Sequence, residues 1–262
     1  MVESDIQLTV SVVIPCFNAA KYLPEVLDSA LAQSLKPFEI IVVDDGSQDN
    51  TGEVLKPYIK SSKIKYFYQE NQGPGTARNL GISKSLGNLV AFCDADDIWL
   101  PQKLEKQIKL FSDPEVALVY SDMEMLGGND SGKRFSKVFG VKSFHRGKVF
   151  DKLVKQNFIP NSSVVTRRRV VEDLGGFPRD KKFFSVEDYV CWLVIAKEHK
   201  IDFIPEVLVK YRMHDANISL QSKKQAYQKL TDVYTFLINR YGLLPIVLWK
   251  YLEYKAKILI WS

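Results

Sequence analysis

Cysteine is scarce in this sequence, with three residues among 262. Three thiols cannot all pair, and Cys16, Cys93 and Cys191 each lie inside an apolar stretch. This usage is typical of a reducing compartment and disfavours a disulfide-stabilised secreted domain. The sequence therefore predicts buried, unpaired thiols in a cytoplasmic protein.

Long apolar runs are also lacking. The chain begins Met-Val-Glu-Ser-Asp, which is acidic where a secretory signal requires basic residues before an apolar run. The longest apolar stretch near the C-terminus, Leu243–Trp249, contains a proline and stops at Lys250. A membrane-spanning helix needs ~20 apolar residues, so we expect no transmembrane segment and a location on the cytoplasmic side of the membrane.

The body of the chain has no net charge. The whole sequence carries 36 Lys and Arg against 31 Asp and Glu, an excess of +5. A nucleic-acid-binding domain usually shows a basic stripe on its folded surface, and residues 1–220 contain 29 residues of each sign. No nucleic-acid partner is therefore expected. The excess lies in residues 221–262, which contain the basic residues Lys223, Lys224, Lys229, Arg240, Lys250, Lys255 and Lys257 and the acidic residues Asp232 and Glu253.

The chain does contain a regular alternation of strands and helices. Four short runs rich in β-branched and aromatic residues alternate with three helical segments, which predicts βαβ units and a mostly parallel sheet covered by helices. From Ser121 the alternation stops, and we expect a helix from Ser185 to about His199, a strand at Val207–Arg212 and two C-terminal helices. The runs are Thr9–Ile14, Ile40–Val43, Ile64–Tyr68 and Leu89–Cys93, and the helical segments are Ala20–Gln33, Thr51–Tyr58 and Thr76–Ser85.

Acidic residues follow the predicted strands. In such sheets ligands bind at the carboxyl ends of the strands, and the loops there carry five carboxylates and Arg78. Burying like charges costs several kcal/mol each unless a cation compensates them. Mg²⁺ or Mn²⁺, bridging carboxylates to a phosphate-bearing ligand, would provide that balance. The loops contain Pro15-Cys16-Phe17-Asn18, Asp44-Asp45-Gly46-Ser47, the segment Asn71 to Asn79, and Asp94-Ala95-Asp96-Asp97.

Each loop has a structural alternative. The motif at 44–47 is equally typical of a strand-to-helix turn in which Ser47 or Asp49 caps the next helix. The motif at 73–75 partly matches the dinucleotide fingerprint Gly-x-Gly-x-x-Gly, but Arg78 replaces the third glycine and the motif follows the third strand, so dinucleotide binding is not expected. The first loop lacks the glycines that wrap a triphosphate, which argues against a nucleotidyltransferase.

In order and spacing these motifs resemble glycosyltransferase family two, the inverting, nucleotide-sugar-dependent enzymes with the A-type fold. The similarity covers roughly residues 9–216. It implies an α/β fold with one Rossmann-like GT-A domain in residues 1–220, divided into a nucleotide-binding half at about 1–120 and an acceptor-binding half at about 121–220. Basic amphipathic helices follow at 221–262. The matching motifs are Ser11–Asn18, Ile41–Ser47, Gly75–Asn79, Asp94–Asp97, Glu187-Asp188 and Tyr211–His214.

The resemblance implies that the first two loops bind the nucleotide. Pro15, Phe17 and Asn18 are expected to frame it, with Phe17 stacked on the base where family members often carry tyrosine. Asp45, together with Asp44, is expected to accept hydrogen bonds from the base.

The resemblance places the reaction at the remaining motifs. Arg78 is expected to lie along the base or the diphosphate, and Asp94 to approach the ribose. Asp96 is expected to bind the Mn²⁺ or Mg²⁺ that bridges the diphosphate, and His214 is either a second metal ligand or a hydrogen-bonded structural histidine. Asp188 is expected to be the general base for the acceptor hydroxyl, a contribution worth ~10²–10⁴ in rate.

Two alternatives stay open at this point. Asp188 also fits a helix start in which Ser185 is the N-cap and the acid lies near the favourable end of the dipole, and the two roles are compatible. The whole chain is either the enzyme or a non-catalytic protein that keeps the fold and binds a sugar nucleotide or a glycan.

The expected partners are a nucleotide-sugar donor, a UDP-sugar in the first place, and a glycan or lipid-linked acceptor. The last predicted helix mixes lysines with aromatic and aliphatic residues such as Trp249 and Leu252. This composition fits an interfacial helix on anionic lipid at the inner face of the cell membrane. It equally fits a helix that packs on the catalytic domain or on a second copy in a homo-oligomer.

Overall fold

A single sheet runs through the part of the chain that the computed structural model describes, residues 8–214 and 222–260. Its strands lie in the order β3-β2-β1-β4-β7-β6-β8-β5. They are β1 (Val10–Cys16), β2 (Glu39–Asp44), β3 (Lys65–Tyr68), β4 (Leu89–Phe92), β5 (Ile98–Trp99), β6 (Val116–Leu126), β7 (Val165–Arg167) and β8 (Lys200–Arg212).

The sheet is parallel over its first four strands in sequence and mixed beyond them. β1 pairs in parallel with β2 and β4, and β2 pairs in parallel with β3. β7 is antiparallel to both β4 and β6, while β6 and β8 are parallel and β5 is antiparallel to β8. The predicted α/β class with a helix-covered central sheet is confirmed, and the antiparallel strands lie in the second half of the chain.

Helices cover both faces of this sheet. In the first half of the chain every predicted helix and strand boundary lies within three residues of the observed one. The predicted helix from Ser185 begins two residues later, and the predicted strand at Val207–Arg212 is the end of the longer β8. The α-helices of the described residues are α1 (Leu23–Leu31), α2 (Thr51–Lys60), α3 (Pro74–Lys84), α4 (Lys103–Ile108), α5 (Phe135–Val138), α6 (Phe150–Lys155), α7 (Arg168–Asp173), α8 (Glu187–Glu198), α9 (Lys223–Tyr241) and α10 (Pro245–Ile260).

The apolar sequence of β1 follows from its burial on both faces. Val13 faces the hydrophobic cluster that includes Trp192 of α8, whereas Val12 and Ile14 face the cluster on the other side, which includes Leu23 of α1. Successive side chains of a strand point to opposite faces. A strand covered by helices on both sides is therefore apolar at every position rather than at alternate ones.

The two C-terminal helices complete the core on the α8 side. α9 begins with a capping box between Ser222 and Gln225. Tyr234 and Leu237 belong to the same buried cluster as α6 and α8, and the Tyr234 hydroxyl donates to the carbonyl of Val154 (3.0 Å). The inner faces of these helices thus pack on the sheet domain. Among the helices in residues 8–214 and 222–260, none has the length and apolarity needed to cross a bilayer.

The cysteine prediction is confirmed. Cys16, Cys93 and Cys191 are all buried and unpaired with one another. Burial raises the pKa of Cys16, and the nearby acids of the loop after β2 raise it further, so this thiol stays protonated and inert at neutral pH.

Candidate active site

The loops that follow β1 and β2 are bonded to each other at one edge of the sheet. Asn18 has a φ of 49°, a left-handed conformation that asparagine tolerates. Its backbone N–H donates to Ser47 Oγ (2.9 Å), and its side-chain oxygen accepts from the N–H of Gln48 (2.8 Å). Pro15 is a buried residue of β1, whereas Phe17 is 49% exposed. Asn18 therefore joins the two loops, and the ring of Phe17 lies open at their edge.

Asp44 supports the turn after β2. Its buried carboxylate accepts from the Tyr66 hydroxyl (2.9 Å) and from the N–H of Ser47 (2.8 Å). At the start of α2 the carboxylate of Asp49, rather than Ser47, accepts from the N–H of Thr51 (2.9 Å). The turn interpretation of this motif accounts for these bonds, and contact of Asp44 with a nucleotide base stays a prediction.

Asp45 ties β2 to the loop before α3. Its carboxylate accepts from the side chain of Gln69 (2.6 Å) and from the N–H groups of Gln72 (2.9 Å) and Gly73 (2.8 Å). Gly73 has a φ of 90°, and a Cβ there would lie 2.1 Å from the ring of Phe184. The resemblance predicts that this carboxylate binds the nucleotide base. In the structure it holds the third loop in place, and its contact with the nucleotide base stays a prediction.

Arg78 is the buried centre of the site. It lies in α3, and its guanidinium donates to Asp94 Oδ1 (2.8 Å) and Glu187 Oε1 (2.6 Å). Asn161 Nδ2 donates to the same Asp94 oxygen (2.8 Å). Burial disfavours the charge of Arg78, but Asp94 and then Glu187 and Asp188 hold its pKa above the ordinary value. A permanent cation thereby joins the loop after β4 to the start of α8.

Asp188 lies beside this cation in the first turn of α8. Its half-buried carboxylate accepts from the N–H of Tyr189 (2.7 Å). Burial, followed by repulsion from Glu187, raises the pKa of Asp188 to about 7, while Arg78 opposes the shift. A carboxylate with a pKa near the working pH is suited to general-base catalysis.

The capping alternative for this helix is wrong in one detail. Ser185 has a φ of 74°, which places it in the left-handed region, and the N-cap position is occupied by Val186. Because a capping side chain must stand at the N-cap itself to reach the N2 or N3 amide, Ser185 lies one residue too early for that role.

Asp96 and His214 contact each other. His214 Nε2 lies 2.9 Å from Asp96 Oδ2, and the imidazole is stacked on Tyr22 with 5.1 Å between ring centroids. Arg212, at the end of β8, donates through Nε to the carbonyl of Asp96 (2.9 Å) and through its N–H to Asp97 Oδ1 (3.0 Å). The end of β8 therefore fixes both the acidic loop and the histidine.

Asp96 and His214 are a hydrogen-bonded pair of groups that can also bind metals. Their distance of 2.9 Å is that of an ordinary hydrogen bond, as the structural alternative for His214 predicts, and its role as a metal ligand stays a prediction. Within residues 8–214 and 222–260 no group of three or more His, Cys, Asp or Glu side chains is arranged to hold a metal. One carboxylate and one imidazole are the donor set at this edge, and Mg²⁺ commonly completes such a set with water and substrate phosphates. The residues therefore fit a metal shared with a diphosphate.

The structure gives roles to residues that the sequence interpretation left unassigned. Glu187 is the second partner of Arg78, and Asn161 fixes Asp94 from a short 3₁₀ helix (Asn161–Ser163) before β7. The sequence contained one signal for the contact of Glu187 with Arg78. Glu187 directly precedes Asp188 in the matching motif, and a buried arginine needs compensating negative charge. Asn161 lies 67 residues from its partner, and nothing local in the sequence indicates that contact.

The basic run at 167–169 lies outside the site. Arg168 begins α7, while Arg167 donates to the carbonyls of Val116 (2.8 Å) and Phe111 (2.9 Å). Arg167 is paired with Leu89, the first residue of β4. The run therefore lies at the opposite end of that strand from Asp94.

The mixed α/β sheet, with Asp94 and Asp96 in the loop after β4 and Asp188 in the first turn of α8 beside the buried Arg78, is typical of the glycosyltransferases with the A-type fold. Residues 11–175 match the family described as Glycosyl transferase family 2. The chain belongs to this family, and the resemblance found in its motifs is confirmed.

Sequence relatives support the same assignment. The chain is 31% identical over 234 residues to the Escherichia coli UDP-Glc:alpha-D-GlcNAc-diphosphoundecaprenol beta-1,3-glucosyltransferase WfgD, covering 88% of this chain and 87% of that protein. It is 31% identical over 231 residues to an uncharacterized glycosyltransferase of Rickettsia felis, again covering 88% of this chain. The chain spans 37% of the length of that Rickettsia protein.

A solved structure shares the fold. The mannosyltransferase PcManGT from Pyrobaculum calidifontis, in complex with GDP-Man and Mn²⁺, superposes with a TM-score of 0.67 over 96% of this chain and 70% of its own, at 21% sequence identity. At that identity the likeness establishes the fold alone.

Proposed function

We propose that this chain is a metal-dependent inverting glycosyltransferase that moves a sugar from a UDP-sugar to a hydroxyl of a glycan or lipid-linked acceptor. The observation that carries the proposal is the buried Arg78, which holds Asp94 on one side and Glu187, next to Asp188, on the other. Family membership supports the reaction class, and the substrates in the name of WfgD support a UDP-sugar and a lipid-linked acceptor.

The acceptor side of the reaction requires a base. In an inverting displacement the acceptor oxygen attacks the anomeric carbon on the face opposite the leaving diphosphate, and it must lose its proton as the bond forms. Asp188, with a pKa of about 7, accepts that proton and contributes ~10²–10⁴ in rate.

The donor side of the reaction requires positive charge and a place for the nucleotide. Phe17 is open for stacking on the base, and Asn18 holds the loop that presents it. Asp94 approaches the ribose. Arg78 provides a fixed cation near the developing negative charge, and preorganised charge of this kind costs no rearrangement during the reaction.

Asp96 and His214 would hold the Mn²⁺ or Mg²⁺. When bound, the metal supplies Lewis-acid neutralisation of the diphosphate leaving group. No protein acid is then needed to protonate that group, so one carboxylate base suffices. The Mn²⁺ in the PcManGT complex agrees with a divalent metal in this fold.

A panel of nucleotide sugars with and without Mn²⁺ tests the function. Donor binding is measured by thermal shift, where a ligand at about 100 times its Kd adds ~2.7 kcal/mol of apparent stability, and turnover is measured as release of nucleotide diphosphate. We expect one donor to stabilise the chain and to be turned over only with the metal. A donor that binds but is turned over under no condition would favour the non-catalytic alternative.

Asp188→Asn tests the base. We expect the variant to keep the thermal shift with the donor and to lose transfer by ~10²–10⁴. Asp173→Asn, at an exposed carboxylate on α7, is the matched control and should keep the wild-type rate. Transfer by Asp188→Asn at the wild-type rate would refute the assignment of the base.

A further inference from the structure

The outer face of α10 carries an exposed apolar stripe. Its residues lie three and seven residues apart, which places them on one side of a helix. Trp249 is 53% exposed, Leu252 57% and Leu259 78%. Residues of the opposite face are buried, among them Val247 at 0% and Lys250 at 7%. Three large apolar side chains exposed on one face of a helix form a candidate interaction surface.

The charge of these helices favours an anionic partner. Residues 221–262 carry seven basic residues and two acidic ones. One of the acids, Glu253, already binds Lys250 (3.0 Å) and Lys257 (2.5 Å), while Lys255 is exposed next to the stripe. Two copies facing each other through this surface would bring like charges together, whereas an anionic surface is attracted to it.

The helix that carries the stripe contacts α9, and α9 contacts the segment just before α8. Near the end of α10, the ring of Tyr254 lies 5.6 Å from that of Tyr227 in the second turn of α9. One half-turn further along α9, Lys229 donates to the carbonyl of Phe184. Burial lowers the pKa of that lysine, and the nearby charge of Glu187 opposes the shift. The second half of α10 therefore lies beside the N-terminal part of α9, which contacts the segment just before α8 and Asp188.

We propose that the outer face of α10 docks the protein on an anionic phospholipid bilayer, with Trp249, Leu252 and Leu259 in the boundary between headgroups and acyl chains and Lys255 at the headgroups. Tryptophan and aliphatic residues beside lysine are the composition of helices that lie in this boundary. The proposal rests on the proposed function in one respect, because a bilayer surface is where a lipid-linked acceptor is found. Docking there would place the enzyme on the surface that carries such an acceptor.

Co-sedimentation of the full chain with vesicles tests the docking surface. The vesicles contain phosphatidylglycerol and phosphatidylcholine in one series and phosphatidylcholine alone in the other. We expect binding to the anionic vesicles, and we expect Leu252→Ser/Leu259→Ser to lower the partition coefficient at least about tenfold, because both lost side chains are apolar. The matched control is Phe38→Ser/Leu86→Ser, which removes two side chains that are 57% and 66% exposed elsewhere and should bind as the wild type does.

Three results would overturn the docking surface: no binding to anionic vesicles, equal binding by the stripe variant and the wild type, or equal binding to both kinds of vesicle. A concentration-dependent dimer, seen by sedimentation velocity and lost in the stripe variant, would identify a second copy as the occupant instead. Release of nucleotide diphosphate without vesicles is measured on the same preparations. Turnover without vesicle binding overturns the docking surface alone, and vesicle binding without turnover overturns the proposed function alone.

Discussion

Arg78 links two carboxylates from distant parts of the chain, and the electrostatics of the site depend on it. Asp94 follows β4 and Glu187 begins α8, yet both contact one guanidinium that is 5% exposed. Removing one member of a buried ion pair leaves an uncompensated charge and costs about 3–5 kcal/mol. The conservative change at Glu187, which keeps an oxygen on the arginine, is therefore the informative one.

Glu187→Gln should move the pH dependence of transfer. The base acts only when deprotonated, so the wild-type kcat/KM should fall as the pH drops through about 7, the value to which burial and Glu187 raise the pKa of Asp188. Without the negative charge of Glu187 that pKa falls, and the acidic limb of the profile should move to lower pH. Glu115→Gln, at an exposed carboxylate, serves as control, and an unmoved limb in Glu187→Gln would contradict the electrostatic account.

Lys103 is a second buried charge with a measurable consequence. The side chain is completely buried, its Nζ has no hydrogen-bond partner among the residues that the structure describes, and it lies 4.1 Å from the centroid of the Trp99 ring. Burial lowers the pKa of Lys103 to about 7, so the unfolded chain binds the proton more tightly than the folded one. The free energy of unfolding should therefore rise between pH about 7 and the ordinary lysine pKa of about 10.5.

Lys103→Met should remove this rise and stabilise the protein at pH about 7. The expected gain is at most a few kcal/mol, since the attraction of the ammonium to the Trp99 face offsets part of the burial cost. Urea denaturation of both proteins at several pH values measures the slope. Lys109→Met, at an exposed lysine, should leave the slope of the wild type unchanged, and a parallel pH dependence in wild type and Lys103→Met would show that Lys103 is charged and compensated.

At the scale of elements, α3 and β1 pack closely because a glycine lies between them. A Cβ on Gly81 would lie 2.3 Å from Cγ1 of Val13, so the helix that carries Arg78 can approach the strand only without a side chain there. Gly52 of α2 is the contrasting case, since a Cβ on it would meet nothing within 4 Å.

Gly81→Ala and Gly52→Ala should therefore change stability in opposite directions. Alanine is the better helix former by ~1 kcal/mol, but overpacking at Gly81 costs about 1–3 kcal/mol, so Gly81→Ala should lower the free energy of unfolding and displace Arg78. Gly52→Ala should raise it by about 0.4–1 kcal/mol. Thermal unfolding measures the change in stability of each variant. Equal changes in the two variants would contradict the close approach of α3 to β1.

The same elements explain which parts of the fold the sequence could predict. β1, β2, β3 and β4 alternate with helices and are apolar and short, so their periodicity and boundaries are local signals. β7 inserts antiparallel between β4 and β6, and β6 pairs with β8 from about 80 residues further along the chain. Those pairings depend on distant contacts that no local pattern encodes, and the second half of the sheet was accordingly not resolved from the sequence.

In the candidate site, too, local sequence signals could be predicted and contacts between distant residues could not. Asp94 and Asp96 could be predicted as candidates because they follow a predicted strand directly, and Arg78 and Asp188 because their motifs match the family. The additional bonds of Arg78 and Asp94, to Glu187 and Asn161, join residues 109 and 67 positions apart. The pKa of Asp188 could not be predicted either. The sequence indicates a carboxylate at this position, but the desolvation that raises its pKa to about 7 depends on the folded structure.

At the scale of the whole molecule, the C-terminal helices are part of the core as well as the carriers of the exposed stripe. Val233, Tyr234, Leu237 and Val247 are buried at 0–1% exposure in the cluster that also contains Trp192 of α8. Shortening the chain to residues 1–221 would therefore expose apolar surface and lower stability. Point substitutions on the outer face separate membrane contact from folding, and truncation does not.

Leu237→Ala and Leu259→Ala should show this division directly. Leu237 is 0% exposed and Leu259 is 78% exposed, although both lie on the two terminal helices. Truncating a buried leucine costs about 2–5 kcal/mol through lost burial and the cavity left behind, whereas surface substitutions usually change stability by less than about 0.5 kcal/mol. Denaturant unfolding measures both free energies, and vesicle binding is measured on the same samples. We expect Leu237→Ala to be destabilised while still binding anionic vesicles when folded, and Leu259→Ala to be as stable as the wild type while binding them less. If Leu259→Ala were destabilised as strongly as Leu237→Ala, the outer face of α10 would be part of the folded core rather than a surface.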